Sequence, residues 1–162
     1  MAIAQLSEEH IEFLTGGVFT YAAAASSALV PDIAVVAASF IDPVTNRIRI
    51  AVDAVQSETL LALLSATQKV AVVFSDPISL KTFQLKGHDV KVGPTSAHDL
   101  PEIEHQIALK NERLAQIDFG EPYGSTYHHC DLQKMVFIHF TITEWYDQTP
   151  GPNAGKPVQH SP

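Results

Sequence analysis

Polar and apolar positions alternate most regularly over residues 47–55, RIRIAVDAV. There Arg47 and Arg49 share one face and Ile48 and Ile50 the other. That period of two predicts a strand with one packed face and one wet or ligand-facing face. Residues 33–41, IAVVAASFI, are apolar on both faces and read as one buried strand. Residues 18–26, VFTYAAAAS, mix helix-favouring alanine with strand-favouring Val, Phe, Thr and Tyr. The Gly16–Gly17 pair ends a helix just before them, so they are assigned to a strand. KVAVVFS (69–75), a long LKTFQLKGHDVKV (80–92) with Gly87 as a bulge or bend, and MVFIHFTITEWY (135–146) complete the strands.

Three helices interrupt this series. Ser7 caps the first, with Glu8 and Glu9 at its positive end and Leu6 stapling onto Ile11. Ser57 caps a short helix carrying Leu60, Leu61 and Leu64. Asp99 and Glu102 form a capping box before a helix whose apolar stripe is Ile103, Ile107, Leu114 and Ile117. Residues 42–46, DPVTN, and Asp76–Pro77 are turns, and residues 119–131, FGEPYGSTYHHCD, are a loop. Strands in hairpin order with inserted helices predict a mainly β fold, an antiparallel Greek-key-like barrel, rather than a parallel sheet. One domain spans residues 1–148, and residues 149–162, rich in Pro and Gly, form an extended or disordered tail.

Composition narrows the function classes. The chain has 162 residues, 46% of them hydrophobic and 17% charged, with a formal net charge of −8. That acidity removes the usual electrostatic support for nucleic-acid binding, and the low charge content fits either surface buried in an oligomer or ordinary variation among compact domains. Cys130 is the single cysteine, so a reducing compartment is expected. No basic and apolar leader opens the chain, and no apolar run approaches the roughly 18–20 residues of a membrane helix. A cytoplasmic protein is expected. No G-x-G-x-x-G or G-x-x-x-x-G-K supports a Rossmann or P-loop reading.

The order of elements, the S-x-T-L-L-x-L-L start of the second helix at Ser57 and the closing F-Q-L-K-G at Gly87 resemble the pyridoxamine 5′-phosphate oxidase-related, FMN-binding split barrel family. The likeness covers roughly residues 6–93 and the strand near 135–146. It implies a homodimer with two ligand sites at the subunit interface, and FMN held by backbone groups of the second and third strands, Ala51 among them. It further implies a cofactor-binding set of Arg47, Arg49, Ser57, Thr59, Lys81, Thr82 and Gln84, with the phosphate near Arg49, Ser57, Thr59, Lys81 and Thr82. Two positions depart from the family pattern. Glu58 and Thr59 stand where the family has a basic residue at the helix start, and PDIAVVAASF lacks the arginine of the true oxidases. A related flavin oxidoreductase therefore fits better than pyridoxamine phosphate oxidation itself.

No general acid or base is assigned, and the substrate stays open. Two further readings remain beside the flavin enzyme: a non-enzymatic module sequestering FMN or haem, and a deazaflavin-dependent reductase on the same fold. The run His128-His129-Cys130-Asp131 invites a metal, but neighbours on an extended chain point to opposite sides. It reads instead as a loop packed at a dimer interface. Trp145 and Tyr146 read as core or interface residues.

Overall fold

The computed structural model describes residues 6–42, 44–45 and 47–158. Pro43 and Asn46 of the expected hairpin turn, the first five residues of the expected domain and the last four of the expected tail lie outside the described residues. The elements are α1 (Glu8–Thr15), β1 (Phe19–Ala25), β2 (Pro31–Val35), β3 (Ala38–Asp42), β4 (Arg47–Asp53), α2 (Glu58–Thr67), β5 (Lys69–Ser75), β6 (Thr82–Pro94), α3 (Leu100–Gln116), α4 (Tyr123–Tyr127), β7 (Met135–Asp147) and β8 (Lys156–Pro157).

The strands form one sheet in the order β2-β1-β5-β6-β7-β4-β3, and every pairing is antiparallel. Its two edge strands are consecutive in sequence, separated only by Val36 and Ala37. The Val36 N–H donates to the Thr20 carbonyl of β1 at 2.9 Å, and the Ala37 N–H to the Ala51 carbonyl of β4 at 2.8 Å. The chain thus changes ladder within two residues, and this joint curls the sheet into a split β-barrel of Greek-key type. The single strand expected over residues 33–41 is therefore two. Both halves are extended and apolar, and only their different partners separate them.

Inward residues of alternating strands fill the barrel: Ile48, Ile50, Val72, Phe74, Leu85, Ile138 and Phe140 are all buried. α2 adds Leu60 and Leu64 to this core. Each such side chain contributes about 1.5–3 kcal/mol of transfer free energy. Gly87 faces inward at a register shift between β6 and β7, where a Cβ would meet the Phe140 ring at 2.3 Å. The expected bulge is there, and it needs glycine for space.

A second, smaller cluster sits on the outside of the barrel, where Ile103 of α3 covers Ala38, Ala51, Met135 and Phe137. The stripe of α3 differs from its apolar reading. Ile103 and Leu114 are buried, Ile107 and Ile117 only partly so, and Gln106 and Lys110 are buried beside them. Gln106 completes the edge of β3, accepting from the Ser39 N–H at 2.8 Å and donating to its carbonyl at 3.0 Å. The Lys110 ammonium donates to the carbonyls of Val36 and Ala37, both at 2.6 Å. The helix thereby satisfies the backbone groups that the joint leaves without a ladder partner.

The capping box before α3 does not form. Asp99 instead accepts from the Ser96 N–H and hydroxyl, at 2.8 and 2.6 Å, and Glu102 accepts from Gln106. The loop expected over residues 119–131 contains α4. Of the expected tail, residues 149–154 turn and residues 155–158 run back along β7. Gly155 N–H donates to the Asp147 carbonyl at 2.8 Å and Val158 N–H to the Trp145 carbonyl at 2.9 Å. Among the described residues no helix is long and apolar enough to cross a membrane.

Candidate functional site

The residues singled out in the sequence fall into three separate places. Arg47 and Arg49 project from the outer face of β4. Ser57 lies at the start of α2, and Thr59 is exposed two residues on. Lys81, Thr82 and Gln84 sit at the start of β6. Arg49 pairs with His139 on β7 and Gln84 with Tyr146, so the first and third places are about 20 Å apart along that strand. Ala51 is fully buried beneath α3, its carbonyl already bonded to Ala37.

The group on β6 is internally committed. The Lys81 ammonium pairs with Glu9 at 3.0 Å and lies over the rings of Phe13 and Phe83. Thr82 bonds Ser75 through its hydroxyl at 2.8 Å, and Gln84 accepts from Gln148 at 3.4 Å.

At α2, Ser57 occupies the N-cap position, but its hydroxyl makes no bond to the first-turn N–H groups. Asp53 organises the turn that leads into the helix. Its carboxylate accepts from the N–H groups of Val55 (2.9 Å), Gln56 (3.2 Å) and Asp131 (2.9 Å). Burial pushes the Asp53 carboxyl up, yet these three bonds outweigh it and hold the group below its ordinary value. Asp53, Ser57, His128 and Cys130 line a cleft of about 190 Å³. His128 Nδ1 lies 2.7 Å from the Asn111 amide oxygen. Burial, reinforced by Lys110, pulls this imidazole down to about 4, so it is neutral. Burial and the Asp53 charge push the Cys130 thiol up. The cleft therefore holds a buried carboxylate, a neutral imidazole and a protonated thiol, and no Lys or Arg is among its lining residues. It is a poor seat for a phosphate.

The arginines of β4 have the opposite surroundings. Phe40, Arg49, His139 and Lys91 lie side by side across β3, β4, β7 and β6, and Asp42, Arg47, Thr141 and His88 form the next row. The face opens onto a groove of about 660 Å³ lined by Arg47, Arg49, His139, Thr45, Asp42 and Glu102. Arg49 is positioned by its neighbours. Its guanidinium carbon lies 5.0 Å from the Phe40 ring centre and 4.7 Å from that of Phe137, with Asp99 at 3.5 Å. The Asp42 carboxylate is taken up by Thr45 and Val44. Arg47 is exposed and forms no ion pair among the described residues. Burial lowers the basicity of His139, and Arg49 and Arg47 push it the same way. At neutral pH the groove thus presents two fixed guanidinium charges beside a neutral imidazole.

No family model and no curated protein matches this chain. Solved structures do match its fold. The HupZ protein of Group A Streptococcus is similar over 92% of this chain and 99% of its own, at 12% identity and a TM-score of 0.55. A candidate pyridoxamine 5′-phosphate oxidase from Lactobacillus delbrueckii matches over 88% and 93%, at 13% identity and a TM-score of 0.54. An F420 reductase matches over 86% and 97%, at 15% identity and a TM-score of 0.53. The fold is the split barrel of the pyridoxamine 5′-phosphate oxidase-related proteins.

Within this split barrel, sequence reasoning found both arginines of the groove and missed His139 and Lys91. A signal for His139 exists. It is the one imidazole on the outward positions of MVFIHFTIT, between Phe137 and Thr141. Its value appears only once the register sets it against Arg49. Lys91 could not be placed, because the register shift between His88 and Lys91 breaks the alternation along β6.

Proposed function

We propose that this split barrel binds FMN, or a closely related phosphorylated flavin, as a homodimer, with the phosphate in the groove of Arg47 and Arg49. The observation that carries the reading is the pairing of two guanidinium groups on one face of β4, against an otherwise acidic chain. Their forked donors suit a phosphate in two-pronged contact. The groove falls within the roughly 300–1,000 Å³ of ordinary ligand pockets. The cleft at Ser57 and the group at Lys81 are not used, because the first lacks a cation in its lining and the second has its one cation paired with Glu9. The groove instead adds to the Asp99-paired Arg49 a second cation, Arg47, with no ion pair among the described residues. Bound flavin supplies the electron transfer of an oxidoreductase, while the chain supplies charge and orientation. Dimer formation is supported by apolar residues left exposed near the edge strand β2, including Ile33, Val35, Val55 and Tyr123. The lone unpaired Cys130 supports a reducing, cytoplasmic setting.

The test is an absorption spectrum of the purified protein before and after incubation with FMN and removal of the excess, with molar mass measured by light scattering. Retained flavin bands at one per chain and a dimeric mass are expected. Arg47→Ala should weaken FMN binding by about 1–2 kcal/mol, as for a lost charge-assisted bond, and should leave the fold intact. No uptake of FMN removes the reading. A Soret band or uptake of a deazaflavin instead assigns the site to that ligand.

A further inference from the structure

The groove contains more than its two arginines. His139 stands between Arg49 on β4 and Lys91 on β6, in one row across three adjacent strands, with Arg47 in the row beside it. Neighbouring strands are about 4.8 Å apart, so Lys91 flanks His139 in register on one side, while on the other Arg49 and Arg47 act on the imidazole directly. Asp99 pairs with Arg49 at 3.5 Å, and two further carboxylates border the groove, Asp42 from β3 and Glu102 from α3. Each is engaged elsewhere, Asp42 by Thr45 and Val44 and Glu102 by Gln106. Gly93 leaves the ring uncovered on one side, since a Cβ there would come within 3.4 Å of Nε2.

Burial, and then the charges of Arg49 and Arg47, hold the imidazole neutral. An anion seated in the groove between Arg47 and Arg49, with Lys91 flanking the row, offsets their field and adds an acceptor for the ring N–H. A doubly charged anion does so more fully than a singly charged one. We propose that this row is a proton-coupled anion site that prefers doubly charged ligands, such as a phosphate monoester, and that His139 takes up one proton as the ligand binds. The proton comes from solvent and goes to the ring nitrogen that the other cations had kept bare. The inference takes its phosphate ligand from the flavin reading above, but it makes its own claim about His139 and Lys91.

Sulfate is the probe, because it stays doubly charged throughout the range in which histidine titrates. Ionic strength is held constant with chloride, and each histidine is followed by NMR from pH 5 to 8.5 with and without sulfate. The His139 midpoint should move upward with sulfate, while His98 and His105 stay in place. Sulfate affinity should rise roughly tenfold on going from pH 8 to pH 5.5, the scale of one added opposite charge. His139→Gln should still bind sulfate but lose the pH dependence, and Lys91→Ala should weaken sulfate binding and reduce the movement of His139. An unmoved His139, or equal movement of all histidines, overturns the proposal. FMN uptake is measured on the same samples. Sulfate-shifted His139 without flavin uptake leaves the anion site and removes the flavin reading. Flavin uptake with an unmoved His139 does the reverse.

Discussion

Replacing Lys110 with methionine should reveal how the barrel is held shut, and the effect should depend on pH. The ammonium is 1% exposed and bonds the carbonyls of Val36 and Ala37 at 2.6 Å each. Methionine matches the length of the side chain and fills the site, so the change removes a donor without opening a large cavity. Two buried carbonyls lose their partner, at about 1–3 kcal/mol each. Against this stands the cost of burying an ammonium, which pulls Lys110 down to about 7 from its ordinary 10.5. Between those two values the unfolded chain binds a proton that the folded chain has released. Stability of the wild type therefore rises with pH across that window and is flat below it. The slope is about 1.4 kcal/mol per pH unit at most. Lys110→Met lacks this rise, so its deficit should grow by about 2–3 kcal/mol between pH 6 and pH 9. Urea unfolding of both proteins, followed by the buried Trp145, measures the difference directly. A deficit that is equal at the two pH values would refute the account, as would a variant as stable as wild type at pH 9.

Three further outcomes follow from the geometry. Truncation after Thr149 removes the strand that pairs with β7 and should lower the melting temperature by several degrees, as for a loss of about 1–3 kcal/mol; an unchanged value would mean that this strand does not dock in solution. Asp53→Ala strips the acceptor from three N–H groups and should cost about 2–4 kcal/mol at pH 7. The part of this stability that comes from its lowered carboxyl pKa is present above the ordinary aspartate value and lost as pH falls through the folded one, so the wild-type and variant denaturation curves should converge in acid. The Cys130 thiol, pushed up by burial and by Asp53, should alkylate with iodoacetamide at least about tenfold more slowly than free cysteine at pH 7.5, and accelerate with pH; fast labelling at neutral pH would contradict the environment described.

The strands β1 and β4 to β7 were legible because their side chains alternate or carry strong β preference, and Gly87 was legible as a bend. The joint at Val36–Ala37 was not. It contains no glycine or proline, and the change of ladder depends on partners distant in sequence. Lys110 and Gln106 escaped because a stripe read from apolar residues alone passes over polar side chains that satisfy a strand edge. Ser57 was found at the helix start, but its hydroxyl caps nothing there, and Asp53, four residues earlier, orders the turn that leads into the helix. Arg47 and Arg49 were found by alternation within one strand. Their companions His139 and Lys91 needed cross-strand register, which no local pattern carries. Lys81 looked equivalent to the arginines by residue type, and only its partner Glu9 on α1 distinguishes it.

The place of β7 has a consequence for the order of folding. It is the last long strand in the chain, yet it lies between β6 and β4 in the sheet. During synthesis the hairpins β1–β2, β3–β4 and β5–β6 can each form from neighbouring segments, but the flanks of β4 and β6 stay open until residue 147 emerges. A chain arrested before β7 therefore displays two bare ladders rich in Val, Ile and Phe, the surface on which strands from other copies pair. The step that completes the barrel is thus also the step that covers both bare ladders and removes that hazard of aggregation.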